Sequence, residues 1–140
     1  MANYMAVSRT NYFQVTDEEK YRELFGRLAA DDYIHDFSCT KDGKTYHGFG
    51  CYGSIDFCDG PEYDEEYTGM EGFAEKLKAI LPENEAFIYQ ETGYEKLRYV
   101  TAFAVVATKD DVRFVSLDEQ AVICARFLLG DPKWETRTTY

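Results

Sequence analysis

Positive charge is scarce in this chain. Only 15 Lys and Arg stand against 26 Asp and Glu, a formal net charge of −11. Such a surface repels DNA, RNA and anionic membranes, so direct binding to any of them is not expected. It suits a basic surface instead, and proteins that bind nucleic acid are common owners of one. No apolar run approaches the 18 residues of a membrane-crossing helix. The opening MANYMAVSRTNYF has no basic stretch leading into an apolar one, so no secretory signal and a cytoplasmic location are expected. The four cysteines, Cys39, Cys51, Cys58 and Cys124, form no C-x-x-C pair, which argues against a disulfide framework and for free, mostly buried thiols. Proline numbers only 3, and neither a linker nor a repeat is visible, so residues 1–140 read as one domain.

What is plentiful is aromatic: 12 Tyr and 10 Phe. A disordered acidic chain has few such residues, so a folded core is expected. TNYFQV (10–15) reads as a strand. Thr16-Asp17-Glu18-Glu19 is a capping box, followed by one apolar face of Tyr21, Leu24, Phe25 and Leu28. YIHDFSC (33–39) reads as a strand, Asp42-Gly43 as a hairpin turn, and 45–57 as one return strand. A second helix over 70–81 presents Met70, Phe73, Leu77, Ile80 and Leu81 on one face and stops at Pro82. AFIYQET is a strand that turns at 93–96. LRYVTAFAVVAT suits a central strand buried on both faces, and VRFVS follows the turn at 109–111. The last helix starts on the capping box Ser116-Leu117-Asp118-Glu119, ends at Gly130, and is apolar almost all round, so it is expected to be largely buried. The sum is an α+β fold: a ferredoxin-like β-α-β-β-α-β core with additional C-terminal strands and a helix, the helices packed on one face of a mainly antiparallel sheet.

The stretch HGFGCYGS (47–54) contains G-x-G-x-x-G. A dinucleotide fingerprint needs a helix after its glycines, and Ser-Ile-Asp-Phe after Gly53 is strand-like. A kinase-type glycine loop would need a catalytic loop and metal-binding motif that are missing. Alternation instead puts His47, Phe49, Cys51, Gly53, Ile55 and Phe57 on a core face. Gly48 and Gly50 fall between tyrosines on the other face, where a ring or a backbone can pack closely. No nucleotide or other cofactor is expected. His47, Cys51, Cys39 and Cys58 lack zinc spacing, and a Cys–His nucleophile would need an exposed, activated thiolate. No catalytic and no metal-ligating residue is therefore assigned, and the chain is not expected to be an enzyme.

The stretch DFCDGPEYDEEYTGMEG (56–72) holds seven acids and no Lys or Arg. It can be a solvated loop or a divalent-cation site, although it lacks the EF-hand pattern. A third reading is a mimic of a phosphate backbone, its carboxylates occupying a Lys/Arg groove and its tyrosines stacking on arginine. The partner-binding candidates are Asp56, Asp59, Glu62, Tyr63, Asp64, Glu65, Glu66 and Tyr67. Residues 1–70 hold 14 acids and 6 bases, and residues 71–140 hold 12 and 9, so the acidic surplus is lopsided.

RTNYFQVTDEEKYRELFGRL, ENEAFIYQETGYEKLRYVTAFAVVAT and SLDEQAVICARFLLGDPKWETRTTY resemble small acidic accessory proteins of bacterial mobile genetic elements. That group includes anti-restriction and anti-CRISPR inhibitors, some of them DNA mimics. The resemblance implies a non-enzymatic inhibitor of a host defence nuclease, a CRISPR effector, acting in the host bacterial cytoplasm. Two alternatives stand beside it: a structural or regulatory protein of the mobile element that self-associates, with a homodimer through the last helix, and a small Cys/His metal-binding protein.

Overall fold

The computed structural model describes residues 4–59 and 66–136. Its helices begin where side chains can take the first free amides. Helix α1 (Glu18–Phe25) is capped by Asp17, whose carboxylate accepts from the Lys20 amide at 3.0 Å. The cap lies one residue beyond the expected Thr16, because Thr16 is already used: its amide and hydroxyl both donate to the Ile80 carbonyl. Helix α2 (Gly69–Leu77) continues into a 3-10 turn over Lys78–Ile80, and the apolar face Met70, Phe73, Leu77, Ile80, Leu81 is buried as expected. Helix α3 (Leu117–Leu129) starts on the Ser116 hydroxyl, which accepts from the Glu119 amide at 3.2 Å, and closes on Gly130 at φ +66°.

The strands are β1 (Met5–Thr10), β2 (Leu28–Ala30), β3 (Ile34–Asp36), β4 (Cys39–Lys41), β5 (Lys44–Tyr46), β6 (Phe49–Cys51), β7 (Ile55–Phe57), β8 (Phe87–Glu95), β9 (Tyr99–Ala107) and β10 (Val112–Ser116). Six of them form one sheet in the order β10-β9-β8-β1-β6-β3, each neighbour antiparallel. β2–β7 and β4–β5 are separate pairs. The fold is α+β with a mainly antiparallel sheet. The β4–β5 hairpin turns on Asp42 and Gly43, both at positive φ (54° and 76°).

Several elements differ from the sequence expectation. The first strand is 5–10 rather than 10–15. Its inner face is polar: Ser8 donates to the Gly53 carbonyl at 2.8 Å, and the Thr10 hydroxyl accepts from the Phe49 amide at 3.0 Å. The stretch 45–57 is three short strands, not one. The expected core face His47, Phe49, Cys51, Ile55 and Phe57 is buried, but Gly48 and Gly50 between them are buried as well, and the pairing partner changes from β4 to β1 and β3 and then to β2. The β8–β9 hairpin turns after Glu95, with Lys96 at φ +50°, rather than at 93–96.

Phe13, Phe49, Phe57, Phe73, Phe87 and Tyr89 are fully buried. They lie on the sheet face that α1 and α2 cover, which odd-numbered residues of β8 and β9 share. Helix α3 lies on the other face. Its Leu117 and Ala121 share a groove with Val7, Thr92, Val100 and Ala102, the opposite set of strand positions. The helices are therefore not all on one face. The direct β10–α3 junction at Ser116 leaves no loop to carry α3 around the sheet edge. Nor is α3 buried: none of its residues is, and Phe127 and Leu128 are 84% and 77% exposed. β9 follows suit, buried at Val105 and Ala107 but 72% exposed at Val100, since one helix cannot cover that face.

Gly48 and Gly50 pack as the alternation suggests. A methyl group on Gly48 would sit 3.2 Å from the Tyr12 ring. On Gly50 it would sit 2.8 Å from the Ser8 carbonyl oxygen and 3.1 Å from the Phe37 ring. Because the first obstacle is backbone, Gly50→Ala should cost about 1–3 kcal/mol, the usual penalty of overpacking. A urea midpoint equal to wild type would contradict this close approach.

Candidate functional site

The acidic stretch is gathered by a short neck. The Phe57 carbonyl accepts from Thr68, Cys58 and Tyr67 form a bridge, and the Asp59 amide donates to the Glu66 carbonyl at 2.8 Å. Of the expected contact residues, Asp56 faces inward: its carboxylate accepts from the amides of Phe57 and Gly69, both at 2.8 Å. Since Thr68 offers no side-chain cap, Asp56 caps α2 from 13 residues upstream. Asp59 pairs with Lys76 at 3.8 Å. Glu66 and Tyr67 are exposed. Glu62, Tyr63, Asp64 and Glu65 lie outside the described residues.

Behind the neck is a cavity of about 310 Å³, lined by Ser54, Asp56, Glu71, Tyr89 and Glu91, with Phe103 and Phe114 as a stacked aromatic wall. Glu91 is only 6% exposed. Its carboxylate accepts from Tyr89 at 2.7 Å, from Tyr4 at 2.9 Å and from Ser54 at 3.0 Å. Burial, reinforced by the bond to Glu91, raises the Tyr89 pKa far above its ordinary value near 10, and burial likewise raises Tyr4. These hydroxyls are therefore neutral donors held on a carboxylate, not nucleophiles. Among the described residues, no Lys or Arg lines the cavity. Carboxylates beside ring faces attract a guanidinium or ammonium group and repel a phosphate.

The Cys/His set stays dispersed. His47 is buried and bonded to Glu18 through Nε2 (2.7 Å) and to Ser38 through Nδ1 (3.1 Å), with the Tyr21 ring stacked on it at 4.0 Å. Ser38, His47 and Glu18 follow the order of an acyl-transfer triad, and two amides beside the serine are already bonded. The Ser38 amide donates to Asp36 at 2.8 Å and the Phe37 amide to the Gly48 carbonyl at 2.7 Å. The chain of bonds ties α1 to the sheet. Cys51 is buried, and desolvation raises its thiol pKa. Cys39 and Cys124 are exposed, which corrects the expectation of mostly buried thiols. No group of three His, Cys, Asp or Glu fit to hold a metal occurs among the described residues. No described helix is long and apolar enough to cross a membrane.

Glu91, Tyr89 and Ser54 are absent from the sequence-derived site. Glu91 sits in a plain alternating strand, and its partners Tyr4 and Ser54 are 87 and 37 residues away. Comparison with protein-family models, with curated proteins and with solved structures finds no match.

Proposed function

We propose that the chain is a non-enzymatic inhibitor that binds the basic nucleic-acid groove of a host defence nuclease, a CRISPR effector, in place of its phosphate backbone. One observation carries the reading. The 56–72 stretch is free of Lys and Arg, and its Asp56 and Glu71 line a cavity whose charged lining among the described residues is Asp56, Glu71 and Glu91, all acidic. Asp56 and Asp59 serve the neck, so contact falls to Glu66, Tyr67 and Glu71 and to the acids at 62, 64 and 65. The resemblance to mobile-element accessory proteins points the same way. The order β8-β1-β6-β3, with α1 and α2 as its crossovers, supports a ferredoxin-like core, to which β9, β10 and α3 are appended.

The test is cleavage by a guide-loaded CRISPR effector of the host, inhibited by wild type and by the triple variant Asp64→Asn, Glu65→Gln, Glu66→Gln. Each charge paired with an arginine contributes on the order of 1 kcal/mol. Inhibition should weaken tenfold or more, at about 1.4 kcal/mol per decade, and should fade as salt rises. Equal inhibition at equal melting temperature would remove this stretch from the contact.

A further inference from the structure

We propose that the chain forms a two-fold dimer in which α3 of each copy lies in the groove of the other, antiparallel to the resident α3. The groove, about 1050 Å³, runs between α3 and the outer sheet face, with Met5, Val7, Tyr94 and Val100 as floor and Leu117 and Ala121 as one wall. Two turns of helix, about 11 Å long and 10 Å across, occupy roughly 900 Å³.

A helix apolar all round is a helix buried on more than one side. Among the described residues of one copy α3 has only one covered side, the half-buried Val122, Ala125 and Arg126. Leu117, Ala121, Cys124 and Leu128, spaced i, i+4, i+7, i+11, form an exposed stripe that continues the groove wall, and Ile123 and Phe127 flank it. An axis crossing between Ala121 and Cys124 sets Leu117 against Leu128 of the second copy, with small residues where the helices approach.

The helix dipoles agree with that direction, since antiparallel packing of the two α3 helices opposes them favourably. Area agrees as well. Met5, Val7, Tyr94, Leu97, Val100 and Leu117 are each 48–86% exposed, and Ile123, Phe127 and Leu128 of α3 50–84%. At on the order of 100 Å² each this is about 900 Å² per copy, above the roughly 800 Å² per partner of a standard stable interface. It also exceeds the roughly 300–600 Å² patch of an ordinary monomer.

The experiment is sedimentation equilibrium on the full chain over about 1–100 µM, the range of ordinary dimers. Wild type should be dimeric. Leu117→Glu with Leu128→Glu, both already exposed, should keep wild-type circular dichroism and weaken the dimer by about a hundredfold or more. In a Cys39→Ser, Cys58→Ser background, a short bismaleimide should join two chains through Cys124, and Cys124→Ser should abolish the product. A wild type that stays monomeric across the range overturns the proposal and leaves a different protein as the occupant. So does a dimer that survives the double glutamate variant.

Discussion

Phe73→Ala should lower the unfolding free energy by about 3–5 kcal/mol, the range for deleting a buried phenyl ring. Phe73 is fully buried and stands at the centre of the aromatic core. Its ring meets Phe49, Phe57 and Phe87 at centroid distances of 5.8, 5.5 and 5.6 Å, edge-on to the first two. Those three rings belong to β6, β7 and β8, so the cavity left by alanine opens where helix and strands meet. Collapse into it would require rings held by other strands to move. Set against a total stability of about 5–15 kcal/mol, the loss is large, and urea denaturation will read it directly. Phe73→Leu, which keeps most of the volume, should recover much of it. A loss under about 1 kcal/mol in the alanine variant would mean that α2 does not seat on this core.

The second large effect belongs to Glu91. Glu91→Ala removes the acceptor of three hydroxyls at once, and a buried donor left unpaired costs about 1–3 kcal/mol. Tyr89 is fully buried and cannot turn to water, whereas Tyr4 and Ser54 reach solvent more easily. The net expectation is about 2–4 kcal/mol. Glu91→Gln keeps an acceptor and the shape and should cost less than half as much. Tyr89→Phe in the alanine background should restore part of the stability: it deletes the orphaned hydroxyl donor but also removes the acceptor of the Ile55 amide at 3.3 Å, and the double variant compared with Tyr89→Phe alone separates the two effects. If Glu91→Ala melts with wild type, the carboxylate does not organise this end of the sheet.

The local elements were legible where one residue type forces a conformation. Asp42-Gly43 makes its turn, Ser116 caps α3 and Gly130 ends it, and the Met70–Leu81 stripe is buried as its spacing demands. What failed to read were features decided by distant partners. β1 was missed because its inward residues are Ser8 and Thr10, whose buried hydroxyls are satisfied by strands 39 or more residues away. The 45–57 stretch alternates in sequence without a break across three strands, so period alone cannot show where the partner changes, nor that Gly48 and Gly50 are buried too. The apolar girth of α3 was legible, but not that a single copy leaves it bare. Of the acidic stretch, composition marked the segment; it could not show that Asp56 turns inward to cap α2, nor that Glu91 closes the cavity behind it.

The place of β1 in the sheet has a bearing on how the chain comes to be folded at all. Residues 5–10 lie between β6 and β8, in register with residues as far along as Tyr94. During synthesis one edge of β1 can pair with β6 once Cys51 has left the ribosome, but the edge that pairs with β8 must wait, open, until Tyr94 has followed. Pairings of such long sequence separation are slow, since the loop must be closed before the contacts can stabilise it. Throughout that wait Met5 and Val7 present an apolar, unpaired edge to the cell, the kind that chaperones hold and that aggregates recruit. The vulnerable moment for this protein is thus its translation, and slowing elongation before β8 should reduce the soluble yield more than slowing it afterwards.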